Sequence, residues 1–519
     1  MISYNDKFYT ISKDVVFKQR TKDYDNKNNE FNLYVNYKPY FIKGLSAELF
    51  KYLISGYIYD IDDCEEDIEK FNIAMNSLIN REWAVEVKNK DDIKYCKSKA
   101  MVPLKTEGKY YFLNLGFRTI DEVSEEVYEA VKFDNYKKLD KEDLDYLLGR
   151  RYIKFDKNDE MQSLINRSNY ANVYIIFSYK CNMRCIYCFE SKENRFYKEE
   201  ELSSEEIVSM IDKISDGKDT VITLYGGEPL LNSNMNKIHY LIKWSKEKEN
   251  ISFRIITNGT NVKLFMPEFI TIKDKICEFV ITVDGPAKVH DQRRFFANGQ
   301  HSFDKIMESI KILTENKMKV YIRINLDRDN IEHQHDFLKY FCQADIDKEY
   351  LSVVYYRVEN KNDPDFNSVS YEECFDLYKK IEDIKDIDII FGDPILSLVV
   401  DMARESEPYP YIRSKYCSLD KTYVIDCDGK VYYCNEGMGI LDFSRNISSN
   451  KGNSIIENNH KCLECNLYYG CYGGCTLKRY NYKKNYNIEL CERKEIINVL
   501  NSLCKYKNNK CNYIEKIQY

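Results

Sequence analysis

The sequence predicts an α/β protein built on a parallel sheet or barrel, with smaller α+β units ahead of it and a cysteine-rich region behind it. Three observations carry this. From about residue 171, short β-branched strands alternate with amphipathic segments of helical spacing. Ahead of them, a strand, helix, helix, strand pattern occurs twice. The 18 cysteines gather at 181–188 and from 417 onward, apart from a few scattered singles.

At 519 residues the chain exceeds one ordinary core, and length alone suggests about two to four domains. No run approaches the roughly 18 to 20 apolar residues of a membrane span. The start, "MISYNDKFYTISKDVVFK", is too polar for a signal peptide, so a cytoplasmic address and no membrane partner are expected. The net charge of -7 is slight and the charges are interspersed, which argues against a nucleic-acid partner. The 45 tyrosines, with abundant Asn, Lys and Ile, read as the signature of an AT-rich genome.

In residues 31–87, "YVNYKPYFIKG" has extended character and Ser46 can cap a helix bearing Leu49, Tyr52 and Leu53. A second helix carries Ile68, Phe71, Met75, Leu78 and Ile79 into "REWAVEV". The pattern returns with "KYYFLNLGFRTI", Ser124 capping a helix with Val127 and Val131, and Asp140 capping another with Leu144, Leu147 and Leu148. Two winged-helix-like units fit this better than one long domain. We place them at 1–105 and 106–165.

The strands "VYIIFS", "TVITLY", "FRIIT", "EFVITV", "KVYIRI" and "YLSVVYY" follow, with helices near 203–214, 233–247, 302–316 and 332–343. Loops after the strands of such a sheet gather at one end and build the site. We assign 166–360 to this unit, 361–411 to a helical connector, 412–495 to the cysteine-rich region and 496–519 to a polar tail.

Clustered thiols in a reducing compartment point to metal or catalysis rather than disulfides. Cys64, Cys96, Cys277, Cys342 and Cys374 stand alone and read as small buried hydrophobes. Cys504 and Cys511, in the Lys- and Asn-rich tail, read as surface thiols. In "YKCNMRCIYCFE", Cys181, Cys185 and Cys188 have the spacing CxxxCxxC directly after the first strand. Three thiolates can ligate three irons of a [4Fe-4S] cluster and leave the fourth open. A zinc site would need a fourth Cys or His close by, and Phe189 and Glu190 supply none.

From about 171 to 495 the sequence resembles the radical S-adenosylmethionine (radical SAM) superfamily, on four segments. "CNMRCIYCFE" is similar to its cluster motif, with Tyr187 as the aromatic before the last cysteine. In "TLYGGEPLL", Gly226, Gly227 and Glu228 match the GGE motif that meets the SAM amino group. Asn258 in "IITNGT", after the third strand, is a candidate to reach the cofactor. "ITVDGP" resembles the SxDG segment, with Thr282 in place of serine, so a hydroxyl for a ribose hydrogen bond is kept. Arg294 stands where related peptide-acting members carry an arginine, and Asn325 in "YIRINLD" is a further candidate. The resemblance implies a partial (β/α)6 barrel and SAM as cofactor. No catalytic acid or base stands out.

The later cysteines, Cys417, Cys434, Cys462, Cys465, Cys471, Cys475 and Cys491, with Gly429 between the first two, match the seven-cysteine SPASM pattern. That resemblance implies two auxiliary [4Fe-4S] clusters, three clusters in all. Cys462, Cys465, Cys471 and Cys491 would bind one; Cys417, Cys434 and Cys475 would bind the other. The second set is one ligand short. Either Cys427 fills the place or it stays open, and the position of Cys427 before the turn glycine favours a non-ligand.

The winged-helix-like units resemble the element that ribosomal-peptide maturases use to grip a leader peptide by strand addition. The expected function is therefore a radical SAM/SPASM maturase that abstracts a hydrogen from a Cys-containing precursor peptide and installs a cross-link, a thioether of the sactipeptide or ranthipeptide kind. Its partners would be that peptide and a flavodoxin- or ferredoxin-type electron donor. Other outcomes of the same machinery are carbon-carbon or ether cross-links, epimerisation and formylglycine formation, the last disfavoured by the long segment ahead of the cluster motif. A non-catalytic iron-sulfur scaffold that binds peptide is the reading from another class, and it has no use for the GGE and SxDG-like segments.

Overall fold

The computed structural model describes residues 2–4, 7–11, 15–19, 30–35, 38–43, 68–81, 84–87, 95–154, 170–192, 201–358, 367–404, 417, 419–440, 443–446, 462, 464–480 and 491–517. Its centre is an α/β barrel segment. Among the described residues the sheet has nine strands: β1 (Tyr170–Ile176), β2 (Asp219–Tyr225), β3 (Ile251–Thr257), β4 (Ile276–Thr282), β5 (Val320–Leu326), β6 (Leu351–Arg357), β7 (Asp388–Phe391), β8 (Thr422–Ile425) and β9 (Val431–Tyr432). The order across the sheet is β7-β6-β5-β4-β3-β2-β1-β8-β9. All neighbours run parallel except β8 and β9.

Helices cover one face of the sheet: α1 (Ser204–Ser215), α2 (Met235–Ser245), α3 (Val262–Ile270), α4 (Phe303–Glu315), α5 (Gln334–Gln343), α6 (Tyr371–Ile381) and α7 (Pro394–Arg404), and α8 (Arg493–Ile517) packs on α6 and α7. Side chains alternate across a strand. Ile222 and Leu224 of β2, Phe253 and Ile255 of β3, and Ile322 and Ile324 of β5 point under the helices and are buried. Each such residue contributes about 1.5–3 kcal/mol. The opposite face, with Tyr174, Arg254 and Arg323, lines the concave interior. The starts of α1 and α6 are fixed by reciprocal capping boxes, Ser203 with Glu206 and Ser370 with Glu373.

Four expectations change. The connector at 361–411 is not all helix, because "DIIF" forms β7 and extends the sheet between α6 and α7. The expected tail at 496–519 belongs to the 25-residue α8. Its Ile496, Val499, Leu500, Leu503 and Cys504 are buried, so Cys504 is a core thiol rather than a surface one. Cys277 is exposed rather than buried, and Cys96 and Cys342 are half-buried; Cys374 is buried. Helix α3, which holds Pro267 within it, has no counterpart among the expected helices. Cys64 and Cys511 fall outside the residues whose side chains are described.

The unit before the barrel is a three-stranded meander, Met101–Thr106, Lys109–Asn114 and Thr119–Val123, followed by two short helices. Ser124 and Asp140 cap those helices through their side chains. One face of the meander, through Met101 and Phe112, packs on the helices; the other, through Val102, Leu113 and Leu115, joins the main core. Further towards the N-terminus, Val15–Gln19, Glu30–Val35 and Lys38–Lys43 form an antiparallel sheet, and Ala84–Val87 pairs with Lys7–Ile11. The helix expected after Ser46 lies outside the described residues. No described helix is long and apolar enough to cross a membrane.

Candidate functional site

Every barrel strand ends in a loop on the same rim, and backbone contacts knit these loops together. The loop after β1 carries Cys181, Cys185 and Cys188. It is held by Arg184 N–H to Phe295 O at 2.8 Å, Ile186 N–H to Arg293 O at 3.0 Å and Ala297 N–H to Asn182 O at 2.8 Å. On its other side the loop after β2 donates from Glu228 N–H to Lys180 O at 2.9 Å. Gly226 adopts φ +116°, which favours glycine, and a Cβ on Gly227 would overlap the carbonyl oxygens of Tyr179 and Lys180. Both glycines are therefore needed for the close approach of the two loops.

Burial pushes the Cys181 thiol up to about 12, and nearby Glu228, Cys185 and Cys188 act in the same direction. Burial also raises the Cys185 thiol, while Arg294 opposes the rise. The three thiols are thus neighbours in a poorly hydrated site. Among the described residues, no three His, Cys, Asp or Glu side chains close around one point as a single metal ion requires. Zinc would draw thiolates to about 2.3 Å from one ion. A four-iron cluster instead takes each thiolate on a different iron, so its ligands stand farther apart. The donor set fits such a cluster.

The side chain of Glu228 is buried and accepts from Leu230 N–H at 2.8 Å, Thr257 Oγ1 at 2.6 Å and Asn258 N–H at 2.7 Å. Its carboxylate therefore joins the loops after β2 and β3. Asn258 reaches back with Nδ2, 2.8 Å from Asn182 Oδ1 and 3.9 Å from Cys181 Sγ.

Tyr187 ties the cluster loop to the loops after β4 and β5. Its hydroxyl donates to Asp284 Oδ2 at 2.6 Å and accepts from Arg294 Nη1 at 2.7 Å and Asn325 Nδ2 at 3.0 Å. Arg294 and Asn325 are thus brought to the thiol loop, and the buried Arg294 Nε has no hydrogen-bond partner among the described residues. Thr282 is buried at the end of β4. Asp284 is fully buried; it accepts also from Asn325 N–H at 3.1 Å and Arg293 Nε at 3.3 Å, and Arg293 in turn clamps Asp327 with bonds of 2.9 and 2.8 Å. The reading from sequence missed Asp284 and Arg293 as organisers of the rim. Asp284 sits inside the SxDG-like segment, so its position was available; nothing in "QRR" separates the two arginines.

In the cysteine-rich region, burial pushes Cys471 up to about 11, with Cys465, Cys462 and Cys491 adding to the rise. Cys465, Cys462 and Cys491 thus each neighbour Cys471. Arg493 Nη1 donates to Cys465 Sγ at 3.2 Å. Cys417 is exposed, Cys434 follows β9 near Tyr174, and Cys475 Sγ accepts from Lys478 N–H at 3.5 Å. The grouping of these three rests on sequence spacing. Cys427 is buried among Ile176, Tyr179, Val424 and Met438.

Residues 175–341 match the family model described as the radical SAM superfamily. The chain is similar to a cysteine-type anaerobic sulfatase-maturating enzyme of Clostridium novyi, 27% identical over 330 residues, covering 57% of this chain and 85% of the relative. It is also similar to a serine-type anaerobic sulfatase-maturating enzyme of Bacteroides thetaiotaomicron, 24% identical over 356 residues, covering 58% and 81%. Among solved structures, SuiB of Streptococcus suis bound to precursor peptide SuiA superimposes with a TM-score of 0.45 at 14% identity, over 92% of this chain and 97% of that one.

Proposed function

Because this chain is a radical SAM enzyme, we propose that it is a maturase that modifies a ribosomally made, Cys-containing peptide by installing a thioether. The observation that carries the reading is the presence of two groups of neighbouring thiols, Cys181 with Cys185 and Cys188 in the loop after β1, and Cys471 with Cys462, Cys465 and Cys491 in the cysteine-rich region. A non-catalytic scaffold would have no need of the first group's setting beside Gly226, Gly227 and Asn258.

Cys181, Cys185 and Cys188 would hold the SAM-binding cluster. Cys462, Cys465, Cys471 and Cys491 would hold one auxiliary cluster, and Cys417, Cys434 and Cys475 a second that is open at one iron. The buried Cys427, packed in an apolar cluster, supports leaving it out of the ligand set. When bound, the reduced cluster and SAM supply a 5′-deoxyadenosyl radical that takes a hydrogen atom from substrate. The protein's part is placement. Gly226 and Gly227 would give the backbone approach for the SAM amino group, Thr282 would offer its hydroxyl, and Arg294 Nε, without a partner among the described residues, would offer a donor in a buried site. Asn258 and Asn325 orient their loops through Asn182 and Tyr187.

A second reading is favoured by the two sulfatase-maturating relatives: oxidation of a cysteine or serine in a sulfatase to formylglycine. Coexpression with a short Cys-rich reading frame adjacent to this gene, followed by mass spectrometry, separates the two. A product lacking two hydrogens, with its cysteine blocked to alkylation and joined by a thioether in fragmentation, supports the proposal. An unchanged peptide together with formylglycine in a coexpressed sulfatase supports the second reading.

A further inference from the structure

We infer that Arg323, stacked on Tyr356 inside the barrel, binds a carboxylate of the peptide substrate; the inference rests on the maturase reading and adds a substrate feature to it. Strand register places Tyr174, Thr223 and Arg254 side by side, and likewise Thr282, Arg323 and Val354, all on the concave face. The cations near this face differ in how they are matched. Arg254 pairs with Glu278, and Arg293 pairs with Asp327 and Asp284. Arg323 has no carboxylate partner among the described residues. Its Nε donates to Asn325 Oδ1 at 3.0 Å, and its guanidinium lies 4.5 Å from the centre of the Tyr356 ring.

That arrangement fixes the fork without using its terminal nitrogens. A guanidinium held by stacking and one Nε bond presents two parallel N–H donors, the geometry that matches a carboxylate in bidentate fashion. The platform is itself built in. A Cβ on Gly392 would overlap the Tyr356 ring, so only glycine there lets the ring lie where it does. Tyr356 is 37% exposed and Arg323 half-buried, so the pair is open to a ligand yet shielded enough to strengthen an ion pair.

On one side Arg323 borders the proposed cofactor residues, with Thr282 beside it and Asn325 on its Nε; on the other it approaches the cysteine-rich region. Arg323 lies close enough to the half-buried phenols Tyr174 and Tyr225 to act on both. Tyr174 also neighbours Cys434, and Tyr225 hydrogen-bonds Asn435. Arg323 is therefore linked through Tyr174 and Tyr225 to Cys434 and Asn435 of the cysteine-rich region, which a peptide cysteine must approach under the maturase reading. The carboxylate is an acidic side chain or the peptide C-terminus.

The test uses anaerobically reconstituted full-length protein and a library of acetylated, amidated octapeptides with one cysteine each. Retained peptides are read by mass spectrometry for wild type, Arg323→Gln, Arg323→Lys and Gly392→Ala. Wild type should enrich Asp or Glu several-fold over Asn or Gln, Arg323→Lys should keep part of that preference, and Arg323→Gln and Gly392→Ala should lose it. A second library with free C-termini distinguishes the sources: enrichment independent of side-chain acidity there assigns the terminal carboxylate and equally supports the inference. SAM binding, measured by equilibrium dialysis, should be the same in wild type and Arg323→Gln. Retention of peptides without acidic or terminal preference overturns the inference and leaves the maturase reading standing. So does an Arg323→Gln protein that keeps the preference but binds SAM tenfold more weakly. Failure of every protein to retain any peptide overturns both.

Discussion

The Tyr187 hydroxyl lies 2.6 Å from Asp284 Oδ2 and so joins the cysteine loop after β1 to the loop after β4. Asp284 is fully buried and its charge is shared with Arg293, which also holds Asp327. One phenol thus sets the position of the thiols relative to Arg294 and Asn325. Burial also raises the Tyr187 phenol well above its ordinary value, which keeps it a hydrogen-bond donor.

Replacement of Tyr187 by Phe removes that donor and strands Arg294 Nη1 and Asn325 Nδ2 without their acceptor. A buried polar group left unpaired costs about 1–3 kcal/mol. The expected result is a lower unfolding temperature in anaerobic thermal scans and a reduced rate of SAM cleavage, at unchanged total iron.

Gly227→Ala puts a methyl group into the carbonyls of Tyr179 and Lys180. Overpacking of this kind costs about 1–3 kcal/mol or more. Here it pushes apart the two loops that frame the cluster site. Iron analysis after reconstitution should show loss of the cluster proposed at Cys181, with the other iron retained.

His290 supplies a pH dependence. Burial, reinforced by Arg294 and Arg293, holds its imidazole well below the ordinary range, so it is neutral in the folded protein. Its Nδ1 accepts from Asp284 N–H at 3.3 Å, which places the proton on Nε2, 3.0 Å from Ser302 Oγ. The unfolded chain takes up a proton below about pH 6.5 while the native state does not, so stability is fully present above that pH and falls as pH drops below it. The slope is at most about 1.4 kcal/mol per pH unit. Thermal scans from pH 7.5 to 5.5 should show this decline in wild type and a shallower one in His290→Gln.

Leu503→Ala tests the last helix. Leu503 is fully buried, in a helix that packs on α6 and α7. A loss of about 2–5 kcal/mol is expected for a core leucine. Chemical denaturation should report it, whereas a solvent-exposed tail would give no change.

The barrel was legible because β-branched strands such as "FRIIT" and "KVYIRI" carry alternation strong enough to stand alone, and Ser124 and Asp140 name their helices by capping chemistry. Helix α8 was hidden by composition. Ile496, Val499, Leu500 and Leu503 have the 3-4 spacing of a buried stripe, but the Lys and Asn residues on the other face gave the segment the look of a tail. Strand β7 is four residues long, too short for a periodic signal. The thiol groups were assigned by spacing. The rim network around Asp284 was not, because it depends on which loops meet across the barrel, a property of topology rather than of any one segment.

The most direct measurement is production of 5′-deoxyadenosine from SAM by the anaerobically reconstituted, dithionite-reduced protein, beside Cys181→Ala at matched concentration. Wild type carrying about twelve irons, four for each of three clusters, should cleave SAM, and the variant should not. Cleavage by Cys181→Ala at the wild-type rate would contradict the assignment of the rim thiols on which the whole account stands.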